Sequence, residues 1–380
     1  MSDIAFQTGR CLQCAKPQCV KGCPVGYDIP KFLREAKNGD FSAAADTVGH
    51  LFGEVCGAIC PESGCRAHCV LHGQGGVDIP SVEREVFSRL PLRLCVKDGA
   101  LKGVSVAVVG GGVSGLAFAG KCYCRGADVT VYERDVLLRT LRTLPYFRLP
   151  RVAVDKICAA YTDSGIKFVK KDVTKEELEA LRRSFDVVYL AVGAQISGAL
   201  HAQGEQLVTS ADEFLRGDAF GETIVIGGGN TAMDCARLNV ANGGKSIVAY
   251  RRTRADMPAF PKEILCAERE GVRFLYNLAP IAVTKGDRLC ITFAKTLSEG
   301  RGRLVLTEDT VTLHCDCVVS AAGRRLDERL YPRDKAAALV GGVADGNLYC
   351  GGDAAGHTLA AQAVGDAIAA FKAVMQKFSR

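Results

Sequence analysis

The 380-residue chain is 48% hydrophobic and carries 48 basic and 42 acidic residues, a formal net charge of +6, and its length supports two or three domains. The mild charge, with no lysine- or arginine-rich block, argues against a nucleic-acid partner, and no run of about 18 apolar residues exists to span a membrane. Eighteen cysteines would suit a secreted disulfide framework, but the opening MSDIAFQTGR lacks the apolar stretch of a signal peptide, so reduced thiols in a cytoplasmic protein are expected.

The segment CLQCAKPQCVKGCP places Cys11, Cys14, Cys19 and Cys23 ahead of Pro24, and a second group follows at Cys56, Cys60, Cys65 and Cys69. Thiolates on adjacent turns converge on one soft cation or cluster without a long loop to close. Zinc favours paired knuckles two residues apart, and here only Cys11 and Cys14 have that spacing. The run resembles the bacterial ferredoxin pattern, whose fourth cysteine, before proline, serves a second cluster. Iron–sulfur is the leading expectation and zinc the alternative. On that pattern Cys11, Cys14 and Cys19 bind one [4Fe-4S] cluster, and Cys23 crosses to another held with three of the later cysteines. In IPKFLREAKNGDFSAAADTV, Ile29, Phe32, Leu33 and Ala36 recur at helical spacing until Gly39 interrupts them. Residues 1–98 thus read as a helical iron–sulfur domain.

The pattern changes at Gly99. GVSVAVVGGGVSGLAFAGKC is a β-branched strand running into Gly110-x-Gly112-x-x-Gly115 and a small-residue helix, and DVTVYER ends a second strand at Glu133. Strand before, helix after and an acid about 20 residues on make this a dinucleotide fingerprint. The pyrophosphate approaches the helix N-terminus, and the carboxylate accepts from a ribose. ETIVIGGGNTAMDCARL repeats the unit with Gly227, Gly229 and Ala232, but its second strand leads to Arg251, Arg252 and Arg254. An acid suits a free 2′-hydroxyl and guanidinium groups suit a 2′-phosphate, so the first unit reads as an FAD site and the second as an NADPH site. Near the C-terminus, DGNLYCGGDAAGHTLAAQAVGDAIAAF supplies a short strand, Gly351-Gly352-Asp353 and a helix beginning near His357. That segment would complete the first domain, with Asp353 on the ribityl chain and the helix N-terminus at the flavin.

With these motifs in this order the chain resembles the small (β) subunit of glutamate synthase and its relatives. Among these are the N-terminal half of dihydropyrimidine dehydrogenase, its separate bacterial electron-input subunit, and the large subunit of NADH-dependent ferredoxin:NADP oxidoreductase. The resemblance rests on CLQCAKPQCVKGCP, CGAICPESGCRAHC, VAVVGGGVSGL, PYFRLP, VIGGGNTAMDCAR, YRRTRADMPA and GGDAAG. It implies two [4Fe-4S] clusters, FAD and NAD(P)H, with electrons passing to a partner protein, either another subunit of a hetero-oligomer or a ferredoxin. Carried over, Gly110, Gly112, Gly115, Glu133, Gly352 and Asp353 hold FAD; Gly227, Gly229, Asn230, Thr231, Ala232, Arg251 and Arg252 hold NADPH, with NADH used by some relatives. The resemblance further implies that Cys23, Cys60, Cys65 and Cys69 hold the second cluster. It gives the first cluster Glu83 as its fourth ligand beside Cys11, Cys14 and Cys19, and leaves Cys56 unligated.

The implied fold class is α/β: an N-terminal α-helical double [4Fe-4S] domain (1–98), then two Rossmann-like domains of the two-dinucleotide-binding flavoprotein type. The second of these (196–323) is inserted in the first (99–195 and 324–380). No catalytic acid or base is expected, because the cofactors carry the chemistry. One departure bears on the flavin: RDVLLRTLRTL lacks the Gly-Gly pair and the Gly-Ile that the family has before PYFRLP. That departure motivates a rival reading as a flavin-free iron–sulfur carrier or structural subunit. A second rival, an NADPH-dependent disulfide reductase, needs a dithiol in the nucleotide domain, where TAMDCARL offers only Cys235. The pairs Cys122/Cys124 and Cys315/Cys317 read as core packing.

Overall fold

A computed structural model describes residues 4–61, 63–217, 221–299 and 303–378. The chain divides into two compact units, one of residues 1–142, 146–195 and 326–380, the other of 143–145 and 196–325. The helical segment is not separated from the first dinucleotide fold but shares its unit. No helix among the described residues is long and apolar enough to cross a membrane.

In the first unit, the helices Ile29–Lys37 and Ile79–Arg89 begin the same way. Asp28 and Asp78 accept from the backbone N–H groups of Lys31 and Ser81, and Pro30 and Pro80 sit in the first turn, where no intrahelical donor is needed. Gly39 lies between Ile29–Lys37 and the next helix, Phe41–Val48. Phe32, Leu33, Val82, Val86 and Phe87 form a buried core between the helices. The helix Gly53–Ile59 crosses Ile79–Arg89 so closely that a Cβ on Gly57 would lie 2.6 Å from the Arg84 nitrogen.

Five parallel strands make the sheet of this unit, in the order Leu348–Cys350, Val187–Leu190, Ser105–Val109, Asp128–Glu133, Lys167–Lys170. The C-terminal segment therefore completes the first sheet, as the second domain's insertion requires. Its long helix starts at Ala360, not at His357, and runs to Phe378. A Cβ on Gly365 of that helix would stand 2.5 Å from the Pro24 carbonyl, so the turn after Cys23 rests directly on the helix backbone.

The second unit repeats the scheme, ordering Thr209–Ser210, Cys317–Ser320, Glu222–Ile226, Lys245–Tyr250 and Arg273–Tyr276 into a parallel sheet. In each sheet the strand that precedes the glycine loop is central, which sets the loop at the strand's carboxyl end over the crevice where ligands bind. An antiparallel meander, Leu278–Lys285, Leu289–Glu299 and Arg303–Cys315, is added to this unit. Cys315 packs in one apolar cluster with Ile224 and Ile247, and Cys317 in another with Val225 and Val248. The two thiols belong to separate cores, in keeping with packing residues.

Candidate metal and dinucleotide sites

Two cavities in the helical segment are walled by sulfur. The first is lined by Cys11, Cys14, Cys19 and Cys69, with Leu12, Pro30, Leu33 and Val70 among its other walls. The second is lined by Cys23, Cys56, Cys60 and Cys65, together with Glu83, Pro80 and Ala361. The expected partition needs correction at two places: Cys69 lies with the first three cysteines, and Glu83 with the second set. The crossing is reciprocal, each group of four sending its last cysteine to the other's cavity. Glu83 is no solvated helix residue either. It is 5% exposed and lies on the face of Ile79–Arg89 turned to the second cavity.

The sequence carried a signal for this placement. GYDIPKFLRE and GVDIPSVERE repeat one pattern fifty positions apart, and Glu83 stands in the second copy where Leu33 stands in the first. Pro30 and Leu33 line the first cavity as Pro80 and Glu83 line the second.

Burial dominates the electrostatics. It pushes the Cys19 thiol up to about 11, reinforced by Cys69, and the Cys60 thiol up to about 12, reinforced by Glu83. Cys23, Cys56 and Cys65 are raised for the same reason. Burial alone lifts the Glu83 carboxyl to about 8. Its Oε1 is buried without a hydrogen-bond partner among the described residues. Four thiols in the first cavity, and four thiols plus an unpartnered carboxylate in the second, fit iron–sulfur clusters, whose positive iron would replace the protons that burial otherwise retains.

In the first sheet unit, Gly110 has φ +110°, and a Cβ on it would run into the Ala191 carbonyl. Gly115 lies equally tight against the Gly110 carbonyl. Gly112, which caps the helix Val113–Tyr123, has no neighbour within 4 Å of its Cβ position and so leaves room for a pyrophosphate. The Glu133 carboxylate accepts from the Gly111 N–H at 2.6 Å and the Asp135 N–H at 2.7 Å. Each oxygen keeps a lone pair for a ribose hydroxyl. The segment without the family's glycines still covers this loop: Leu138, at φ +56° and 1% exposed, donates its N–H to the Gly111 carbonyl at 3.0 Å.

Sequence reasoning missed Asp366. It is buried in the C-terminal helix, accepts from the Gly352 N–H at 2.9 Å and pairs with His357 at 2.9 Å, so it fixes the turn that carries Asp353. Its helical spacing alone did not distinguish it from a surface acid.

In the second unit, Gly227 has φ +143° against Ala321, Gly229 faces open space at the start of Asn230–Ala241, and Ala232 is fully buried. The Asn230 side-chain oxygen accepts from the Phe260 N–H at 2.9 Å, which ties the MPAF turn over the glycine loop, and Thr231 is exposed. After Tyr250 the three arginines differ. Arg254 is held by Glu268 in two 3.0 Å contacts, while Arg251 is exposed. The Arg251 carbonyl accepts from Thr296 at 2.7 Å. Cys235 is fully buried, without a second cysteine in its helix, so the dithiol that a disulfide reductase needs is not formed there.

A family model described as dihydropyrimidine dehydrogenase domain II, 4Fe-4S cluster, matches residues 2–90. A second, pyridine nucleotide-disulphide oxidoreductase, matches 153–367, more than half of the chain. Glutamate synthase [NADPH] small chain of Azospirillum brasilense is 30% identical over 362 residues, covering 83% of this chain and 74% of the relative. The chain belongs to the glutamate synthase small-chain family. The Escherichia coli member of that name is 33% identical over 313 residues, 73% of this chain and 66% of the relative. NADPH-Fe(3+) oxidoreductase subunit beta of Geobacter sulfurreducens is 28% identical over 353 residues, and the match spans 52% of its length. Among solved structures, Mycobacterium tuberculosis FprA in complex with NADPH superposes with a TM-score of 0.58 at 17% identity, covering 72% of this chain and 84% of that one. Lactococcus lactis thioredoxin reductase gives 0.56 at 15% identity, over 73% and 99%. These likenesses establish the fold. As a member of the small-chain family the protein is an NAD(P)H-dependent flavin and iron–sulfur oxidoreductase, with iron–sulfur clusters, FAD and NADPH as its cofactors.

The position of Glu83 has a measurable consequence for the metal-free protein. Unfolded, its carboxyl titrates in the ordinary range near 4.5; folded, it holds its proton to about 8. Its contribution to stability is therefore fully present below the unfolded value and lost as pH rises through about 8. Denaturation of apoprotein across this window should show stability falling with pH, and Glu83→Gln should flatten that fall. An unchanged slope in the variant would place the carboxyl in water.

Proposed function

We propose that the chain is an electron-input subunit that takes reducing equivalents from NADPH and hands single electrons to an acidic partner protein. The observation that carries this reading is the pair of sulfur-walled cavities in the same compact unit as an FAD-type sheet. Bound FAD supplies the conversion of hydride transfer into one-electron steps, and the clusters supply the relay.

The residues divide the work. Cys11, Cys14, Cys19 and Cys69 hold the first cluster; Cys23, Cys60 and Cys65 hold the second with Glu83, and Cys56 stands beside them. Gly110, Gly112 and Gly115 seat the FAD pyrophosphate, Glu133 takes its ribose, and Gly352 and Asp353 lie at the ribityl end. Gly227, Gly229 and Ala232 seat NADPH, with Asn230 and Thr231 opening the helix behind its phosphates. Arg254 is engaged by Glu268, and recognition of the 2′-phosphate is assigned to Arg251 and Arg252, which directly follow the strand Lys245–Tyr250.

The second cavity touches the C-terminal helix of the flavin-type sheet through Ala361, whereas Leu12 and Val70 on the rim of the first are 63% and 57% exposed. The first cavity is thus the side that meets a partner. Lys16 and Lys21 are exposed in the segment that carries Cys11, Cys14 and Cys19, whereas Arg66 is paired with Asp78. Two exposed lysines beside an apolar rim suit an acidic electron carrier or subunit surface, which they would steer by long-range attraction.

Protein purified anaerobically should contain about eight iron atoms, from two four-iron clusters, and one FAD per chain. Two zinc ions per chain and no iron would sink the proposal. Replacing Arg251 and Arg252 with alanine should raise the KM for NADPH about tenfold or more and spare NADH, since each charge-assisted contact contributes about 1.5–3 kcal/mol. Equal losses with both nucleotides would assign these arginines to the fold. Lys16→Glu with Lys21→Glu should slow electron delivery to the partner most at low ionic strength, with NADPH-driven reduction of a small neutral dye unaffected. A rate insensitive to both charge and salt would remove the acidic-partner reading.

A further inference from the structure

His50 lies next to the second cavity and has no part in the function derived so far. It follows Gly49, the left-handed residue that ends the helix Phe41–Val48. Its Nδ1 accepts a hydrogen bond from the Phe52 backbone N–H at 3.1 Å. Phe52 caps the helix Gly53–Ile59 that carries Cys56, so the contact that orients the imidazole also sets the start of that helix. A backbone amide can only donate, which makes Nδ1 the acceptor and places the ring proton on Nε2.

That Nε2–H is buried, and neither it nor Glu83 Oε1 has a hydrogen-bond partner among the described residues. A ring nitrogen of His50, the Cys56 sulfur and a carboxylate oxygen of Glu83 lie within 4.8 Å of one another, all three residues being buried. An unpartnered donor and an unpartnered acceptor thus sit on two buried side chains that approach one another within that distance, and burial makes leaving either unsatisfied costly. The second cavity also offers one donor more than the first: Cys23, Cys56, Cys60, Cys65 and Glu83, against four thiols. A four-iron cluster takes four protein ligands, so Cys56 and Glu83 compete for one iron.

We propose that His50 decides this competition: as a positioning residue, it donates its Nε2–H to one carboxylate oxygen of Glu83 and thereby holds the other oxygen, rather than the Cys56 sulfur, toward the second cluster. The inference rests on the reading of the second cavity as a cluster site. Hydrogen bonds of this kind, from outside a metal's ligand set, fix the orientation of the ligand and tune the metal.

The test uses the full chain, purified anaerobically with both clusters, and reads the electron paramagnetic resonance signal, the midpoint potential and the rate of iron release to a chelator. His50→Ala should shift the signal and potential of the second cluster, leave those of the first unchanged, and speed iron release about tenfold. His50→Gln, which returns an N–H donor at similar reach, should restore all three. Cys56→Ser should leave the second cluster's signal unaltered in the parent protein, yet damage that cluster in the His50→Ala background, where the thiol takes the vacated role. If His50→Ala changes none of the three readouts, or if Cys56→Ser is as damaging with His50 as without it, the inference is overturned while the cluster assignment stands. A parent protein holding only one four-iron cluster would overturn the reading of the second cavity, and the inference with it.

Discussion

Sulfur kept from water is the constraint around which the helical part of the first unit is arranged. A thiol in that environment resists ionising, as the upward displacement of Cys19 and Cys60 shows. Burial thus favours the protonated form of these thiols, and metal binding must expel protons. Their walls stand on other forces. Asp28 and Asp78 start the two helices that line them, and the apolar core of Phe32, Leu33, Val82, Val86 and Phe87 clamps those helices together. Ligand geometry is thus set largely by hydrophobic packing, which is the less pH-sensitive of the two contributions.

Both sheet units use one frame for their parallel strands and differ at the end of the second strand. In the first, Glu133 is pinned by two backbone donors, its charge dispersed but its lone pairs not exhausted. In the second, Tyr250 packs against Gly228 where Leu137 packs against Gly111, and the charged residues come later, at Arg251 and Arg252. The strand end that offers a carboxylate in one unit thus offers an aromatic ring in the other, with two arginines directly after it.

Much of this was legible in the sequence, because strand, glycine loop and helix are local patterns, as is a run of closely spaced cysteines. The insertion of one dinucleotide unit in the other was also legible, from the Gly351-Gly352-Asp353 segment returning late in the chain. What escaped depends on long-range placement. Spacing indicated that Cys23 leaves its group but gave no reason for Cys69 to do the same, since that exchange requires both loops to be folded over each other. Leu33 and Glu83 occupy matching places in the repeated DIP helices, and only the packing of Gly53–Ile59 across Ile79–Arg89 shows that Glu83 faces sulfur rather than solvent. Asp366 and His50 lie outside the glycine and cysteine motifs and accept from the Gly352 and Phe52 N–H groups, contacts that no residue pattern announced.

The contact between Gly365 and the Pro24 carbonyl joins the cysteine turn to the helix behind the flavin-type loop with no side chain between them. Two backbones in van der Waals contact are at the shortest separation that two elements can reach, and that separation does not depend on rotamers or on the volume of neighbouring residues. The gap an electron must cross between the two parts of the unit is in this way buffered against sequence drift: the surrounding core can exchange leucine for methionine or valine for isoleucine while the distance stays fixed by one hydrogen atom on residue 365.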